Sequence, residues 1–432
     1  MMQTQILALY AIPLAAVLAV YLRLRRRRET HAAHVWREAR DAGLTEPVSL
    51  HPVVDPTICM GSGACTRACP EGALGIVNGK AHLVNPTVCI GHGACAATCP
   101  VEAITLVFGT ERRGVDIPYV KPNFETNVNG IFIAGELGGM GLIRKAAEQG
   151  RQAIETISRQ RAPDGWLDVV IVGAGPAGIS ATLGAMEAGL RFMTIEQEES
   201  LGGTVYHYPR NKIVMTQPVH LPLAGKVKMG EISKEALLEF WSGIVGRHRV
   251  PIRYGERLEA IVSDGTGYRV RTTRGEHRTR NILLAIGRRG TPRQLGVPGE
   301  DLPKVVYRLV DPEQYRGRHV LVVGGGDSAI EAAVSLAAEP GTPVTLSYRG
   351  EAFGRVKVKN RDRLAEAQGA GRLEVLLSSA VRVIEPERVI LDTAAGPAER
   401  PNDAVIVCAG GILPTPMLKE IGIRVETKHG TA

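Results

Sequence analysis

Seven cysteines in 432 residues are too few to staple a chain of this length with disulfides. Six of the seven fall in two short clusters, which points to metal instead. Disorder is excluded as well, because apolar residues make up 44% of the chain and charged residues only 22%. Charge of one sign is scarce outside a single stretch. The formal net charge is +8, and Arg23, Arg25, Arg26, Arg27 and Arg28 supply five of it, so the remainder carries only +3. The basic balance is therefore local, and nucleic-acid binding is not implied. Glycine is abundant, at 50 residues, as expected where backbone turns tightly or presses against ligands.

Residues 1–22 have no charged side chain, and Ile6 to Leu22 is almost wholly apolar, with Pro13 inside it. Twenty-two helical residues span ~33 Å, enough for a ~30 Å hydrocarbon core. The arginines follow this run rather than precede it, unlike a cleavable signal peptide. The expectation is one transmembrane anchor over 1–28, with everything from Arg23 onward in the cytoplasm. Residues 29–50 read as a polar linker that contains one helix from Glu29 to Ala42.

An internal repeat follows at an offset of thirty residues. Asp55-Pro56-Thr57-Ile58-Cys59 matches Asn85-Pro86-Thr87-Val88-Cys89. Each continues through Gly-x-Gly-Ala-Cys to a final Cys-Pro. Thiolates two or three residues apart on a glycine-rich loop can reach several irons of one cubane. The pattern over 51–108 resembles the bacterial two-cluster ferredoxins, in which the fourth cysteine of each run serves the other cluster. The resemblance implies one cluster on Cys59, Cys65 and Cys99, and a second on Cys89, Cys95 and Cys69. Where the family has a second cysteine in each run, Ser62 and His92 stand here. Ser62 or His92 ligates iron, or the clusters are of the three-iron type, or an external group fills the place. Two four-iron clusters are the preferred reading.

Asp168 to Val172 reads as a buried strand running into Gly173-Ala174-Gly175-Pro176-Ala177-Gly178 and a helix to Ala188. This is strand, glycine loop and helix, in which the glycines allow pyrophosphate to approach and the helix N-terminus faces it. The next strand ends at Glu196, eighteen residues after Gly178, where a ribose hydroxyl needs an acceptor. A second copy runs from His319 to Val323, then Gly324-Gly325-Gly326-Asp327-Ser328-Ala329 and a helix. Its following strand ends in Ser347-Tyr348-Arg349. No acid stands there, and Arg349 suits a 2′-phosphate, which favours NADP over NAD. Two further strands enter glycine turns at Gly287 and Gly410, and Cys408 reads as a buried small apolar residue.

This arrangement resembles the two-dinucleotide-binding-domain flavoproteins of the thioredoxin-reductase-like group, which includes ferredoxin–NADP reductases and bacillithiol-disulfide-reductase-like proteins. The resemblance implies FAD along Gly202, Gly203 and Thr204, and a homodimer. The family's closing flavin motif, T-x-x-x-G-[IV]-F-x-A-G-[DE], is matched by Thr126 to Ile133, Ala134, Gly135 and Glu136, yet here it precedes the first glycine loop. A circular permutation is inferred, or else a segment that completes a neighbouring subunit. By position, Glu136 accepts from the ribityl chain. The helix starting near Leu142 aims its N-terminus at the flavin's pyrimidine edge.

The implied fold class is α/β: two Rossmann-like FAD and NAD(P) domains, a small α+β two-cluster ferredoxin domain and one N-terminal transmembrane helix. The expected boundaries are 1–28, 29–50, 51–108, 109–162 (permuted FAD segment), 163–300 (FAD), 301–404 (NAD(P)) and 405–432 (return to the FAD domain). Disulfide reduction lacks its machinery. No C-x-x-C follows Gly324, and Ala177 stands where bacillithiol-reductase-like proteins carry a cysteine. What remains is electron transfer between NAD(P)H, FAD and ferredoxin-type clusters, with a soluble ferredoxin or other carrier as partner. An iron–sulfur redox sensor with little turnover and a quinone reductase are the alternatives.

Overall fold

The structure, a computed structural model, describes the chain except residues 1, 42–43, 48–49, 92, 112, 140, 209, 211–212, 215–217, 228–231, 289, 355 and 431–432, and except the side chains of 2–11, 213 and 291. The chain forms two compact units. One comprises Met1–Thr110 with Ala352–Val358 and Gly430–Ala432, and the other Glu111–Glu351 with Lys359–His429.

In the first unit a single helix runs from Met2 to Asp41, straight through the expected boundary at 28 and through Pro13. The segment read as a linker is the docking end of this helix. Ala32 is buried with Val77 and Val84, with Ala33, Val35 and Trp36 packed around them. Gly75 makes room for it, since a Cβ there would lie 2.6 Å from the Ala32 methyl. The Glu29 carboxylate accepts from the Gly79 backbone N–H at 2.8 Å, and the Trp36 ring stands 4.8 Å from that of His82. Among the described residues no helix is long and apolar enough to cross a membrane. The N-terminal part of the expected anchor has its side chains outside the described residues.

The ferredoxin-like part is built from an antiparallel pair, His51–Val54 with Ile104–Val107, and a hairpin, Leu74–Val77 with Lys80–Leu83. Two short helices, Ala64–Ala68 and Ala94–Ala97, repeat the sequence duplication in space. Each starts from a left-handed glycine, Gly63 or Gly93.

In the second unit a seven-stranded sheet has the buried strand Leu167–Val172 at its centre, between Phe192–Ile195 and Gly275–Leu284. The strand Gly275–Leu284 is shared along one edge. Its first half pairs antiparallel with Gly267–Thr272, and its second half pairs parallel with Ile131–Ile133. The displaced segment thus completes the sheet within its own chain. The helix Ile143–Ile157 then packs on Pro176–Glu187. It buries Ala146, Ala147, Gly150, Ala153, Ile154 and Ile157, one face at helical spacing. Small residues let the axes close in, and a Cβ on Gly150 would fall 2.1 Å from the Ala177 carbonyl oxygen.

A five-stranded parallel sheet, ordered Val305–Val306, Ala404–Val407, Val320–Val323, Val344–Ser347 and Leu373–Leu376, carries the second glycine loop. The expected boundary between 404 and 405 therefore falls inside a strand of this sheet. A run of four buried aliphatic side chains belongs between two parallel neighbours. The last strand, Val425–Lys428, pairs antiparallel with Val115–Pro118, so the two ends of the permuted arrangement meet.

Candidate functional site: two nucleotide cradles and a ferredoxin-type cysteine set

Gly173 adopts φ +106°, and a Cβ there would strike the Ala285 carbonyl oxygen at 2.6 Å. A Cβ on Gly178 would lie 1.7 Å from the Gly173 carbonyl oxygen. These two positions bring strand, loop and helix into contact. Gly175 is different, because its nearest neighbours are about 4 Å away, at Gly202 and Gly203. Its open side faces the next glycine pair, as a pyrophosphate path requires. The helix opens with Pro176 at its first position and has no side-chain cap, so its leading N–H groups stay available to an anion.

Glu196 is buried at the end of its strand. Its carboxylate accepts from Ala174 N at 2.7 Å and from Glu198 N at 3.0 Å. Burial pushes its pKa up, and those backbone donors pull it back only in part. Glu136 arrives at the same loops from the permuted segment. A Cβ on Gly287 would be 3.7 Å from the Thr204 hydroxyl and 4.0 Å from the Glu136 carboxylate. A Cβ on Gly135 would be 3.1 Å from the Ala177 methyl, and Gly135 N donates to Gln149 at 2.8 Å. The structure therefore brings together Gly173, Gly175, Ala177, Gly178, Gly202, Gly203, Thr204, Gly287, Gly135 and Glu136. A glycine cradle, an uncapped helix end and a buried carboxylate fit FAD.

The second cradle repeats the logic. Gly324 N donates to Ser347 O at 3.0 Å, and a Cβ on Gly324 would meet the Cys408 carbonyl oxygen at 2.4 Å. Cys408 is half-buried rather than buried. The helix Asp327–Ala337, which begins with Asp327 and Ser328, follows Gly326 without a side-chain cap. The Asp327 carboxylate accepts from the Asn360 amide at 2.7 Å, so Asp327 is tied to the neighbouring helix Val358–Gly369. Tyr348 lies over the loop, with ring atoms 2.2–2.4 Å from where a Gly325 Cβ would stand. Arg349 is exposed at the end of the strand. An uncapped helix end beside an exposed guanidinium fits NAD(P).

In the first unit Cys59, Cys65 and Cys95 belong to one buried cluster, with Cys69 and Cys99 packed against it, and Cys89 is buried too. Ala81 N points at Cys59 Sγ at 3.5 Å and Ala103 N at Cys99 Sγ at 3.3 Å, the donors that an iron–sulfur thiolate receives. Burial pushes the Cys65, Cys89 and Cys95 thiols up, so iron binding would displace protons there. Among the described residues no three His, Cys, Asp or Glu side chains gather around a point fit for one metal ion. Ligands of a single ion stand within ~4 Å of one another, whereas a cubane binds each thiolate through a different iron. The donor set thus fits clusters. Ser62 is exposed, with its hydroxyl accepting from Ala64 N at 3.4 Å. His92 lies outside the described residues.

With these sites in view, the description "Pyridine nucleotide-disulphide oxidoreductase" matches residues 170–431. The chain belongs to that family. A second description, "4Fe-4S dicluster domain", matches residues 51–100. Among curated proteins, this family member is 30% identical over 270 residues to the ferredoxin–NADP reductase of Ignicoccus hospitalis, covering 61% of this chain and 83% of the relative. It is 24% identical over 269 residues to bacilliredoxin reductase Bdr of Bacillus subtilis, covering 60% and 82%. Among solved structures, bacillithiol disulfide reductase Bdr from Staphylococcus aureus aligns with a TM-score of 0.53 at 23% identity, covering 59% and 80%, and shares the fold. This pyridine nucleotide-disulphide oxidoreductase is an enzyme that uses FAD, NAD(P) and iron–sulfur clusters. The family match leaves out 109–162, the segment out of order.

Motif reading missed one residue of this family member. Arg288 follows Gly287, half-buried, and donates to the Asp116 carbonyl at 2.9 Å. Burial lowers its pKa, and the carboxylates of Glu136 and Asp116 oppose that. A charged residue directly after a strand and glycine turn was the available signal.

Proposed function

We propose that this chain is a membrane-tethered NADPH-dependent reductase that passes electrons through FAD to its own ferredoxin-type clusters and on to a one-electron carrier such as ferredoxin. The observation that carries the reading is the pairing, in one chain, of a flavin cradle without a dithiol and six cysteines in a ferredoxin arrangement. Bound FAD accepts a hydride from the nicotinamide and releases two electrons singly, which suits clusters that take one each.

The protein's own residues have separable tasks in this reading. Gly175 and the helix end after it hold the FAD pyrophosphate, and Glu196 holds the adenosine ribose. Glu136, with Thr204 beside it, orients the ribityl side, and Arg288 holds Glu136 in place. Gly324, Gly326 and Ser328 hold the dinucleotide, with Arg349 on its 2′-phosphate. Cys59, Cys65 and Cys99 hold one cluster, and Cys69, Cys89 and Cys95 the other. Ser62 is assigned no iron, because its hydroxyl is turned to Ala64 N.

The tether is supported by the helix Met2–Asp41, on which Ile12, Leu14, Val17, Leu18, Val20 and Tyr21 are all more than half exposed. The arginines after them place the two units on the cytoplasmic side. A homodimer is the assembly the family resemblance implies. The reading is tested by anaerobic NADPH titration followed optically and by EPR. Flavin bleaching accompanied by cluster signals is expected, and a bleached flavin beside clusters that stay oxidised contradicts it.

A further inference from the structure

The thirty-residue repeat is symmetric in sequence but not in exposure. Ile58 and Met60, the apolar residues on either side of Cys59, are 50% and 65% exposed. Their counterparts Val88 and Ile90, on either side of Cys89, are half-buried. Two exposed apolar side chains next to a buried cluster ligand need an explanation that the cluster fold itself does not supply.

The N-terminal helix provides one. Its exposed apolar stretch ends at Leu24, and its docking on the ferredoxin fold begins at Glu29. Five helical residues are ~7.5 Å, so the docked fold starts directly beneath the apolar stretch. Glu29 binds Gly79 N, and Gly79 O lies 2.0 Å from where a Cβ on Gly61 would stand. Lys80 Nζ donates to Cys59 O at 2.6 Å. The Ile58–Gly61 loop is thereby held at the end of the unit nearest the apolar helix. Cys89 instead neighbours Leu50, whose segment follows the other end of the helix. Between the two levels, Arg23, Arg26, Arg27, Thr30, His31 and His34 line one concave face of the helix, a basic belt at headgroup height.

We propose that the Ile58–Gly61 loop is seated on an anionic bilayer surface, with Ile58 and Met60 entering the headgroup region, and that the carrier served there is a lipid-soluble quinone. This rests on the proposed NADPH-to-cluster reading and names its acceptor. The overall reaction balances as NADPH + H⁺ + quinone → NADP⁺ + quinol. The C–H bond of the reduced nicotinamide breaks, two electrons cross the Cys59 loop one at a time, and the quinol takes up two protons in all. Apolar residues beside a buried ligand shield the crossing from water, and the basic face holds phosphate headgroups.

The test uses the full chain in phosphatidylcholine–phosphatidylglycerol vesicles. Met60→Trp adds an emission above that of the native tryptophans, read as a difference from the unsubstituted protein. Brominated lipid is expected to quench the added emission and aqueous iodide to spare it; quenching by iodide with none by brominated lipid overturns the proposal. In the same vesicles the Ile58→Asp, Met60→Asp double variant is expected to lower the ratio of long-tailed benzoquinone to ferricyanide reduction about tenfold, since charge at the interface opposes insertion. An unchanged ratio overturns it. The two failures are distinguishable. Clusters that NADPH does not reduce sink the proposed function, whereas reduced clusters with an iodide-quenched Met60→Trp protein sink only the membrane seat and the quinone.

Discussion

Glu196 shows how a single buried carboxylate serves a cofactor at the expense of the empty protein. Its unfolded pKa is near 4.5, and burial raises the folded one. A raised carboxyl favours folding while protonated. Its contribution is whole below pH 4.5 and is lost as pH rises through the folded value. Glu196→Gln is therefore expected to flatten the pH dependence of FAD-free stability above that point, checked by urea midpoints across pH. The same substitution removes an ionised acceptor from the ribose and is expected to weaken FAD roughly 10- to 100-fold, measured by equilibrium dialysis. Ser62 makes the opposite case, a residue at a ligand position that faces away. Ser62→Ala is expected to leave the cluster EPR spectrum unchanged, and Ser62→Cys to alter it by offering a thiolate where the family has one. A lost cluster signal in Ser62→Ala would show that the hydroxyl binds iron.

At the scale of elements, the misplaced flavin motif is a matter of connection rather than packing. The strand Ile131–Ile133 and the helix Ile143–Ile157 fill their places beside Gly275–Leu284 and Pro176–Glu187 although they come first in the chain. The pairing of Val425–Lys428 with Val115–Pro118 sets Lys428 opposite Val115. A tight turn of about two to four residues would span that gap. A rearranged second unit that starts near Ala162, runs to Lys428, turns, and continues from Val115 to Gln160 is expected to fold and bind FAD, read by flavin absorbance on the purified protein. An insoluble or colourless product would mean that the present connection is itself needed. The glycine loops, their helices and the strand ending at Glu196 were legible in the sequence, because phosphate approach restricts those positions to few residue types. The docked segment 29–41 was not, because its anchor is the fit of Ala32 against Gly75, a contact between residues that are small and unremarkable alone. The strand Ala404–Val407 was legible as a strand but not as part of the NAD(P)-side sheet, since four aliphatic residues do not name their neighbours. Arg288 was missed because its partner Asp116 is 172 residues away in sequence.

For the whole molecule, the sequence and the structure agree on a division of labour. One unit carries the cysteine set and the long helix, and the other carries both nucleotide cradles. The chain holds no second cysteine near Cys408 for a dithiol, so reducing equivalents leave the flavin for a group other than a disulfide. Transfer within one polypeptide has a kinetic signature that transfer between separate proteins lacks. Stopped-flow mixing of the anaerobic, cluster-loaded protein with NADPH, with samples freeze-quenched for EPR, reads flavin bleaching and cluster reduction in one experiment. Cluster reduction should follow flavin bleaching at a rate independent of protein concentration. Clusters that remain oxidised after the flavin is reduced, or that are reduced only in proportion to protein concentration, would contradict internal transfer.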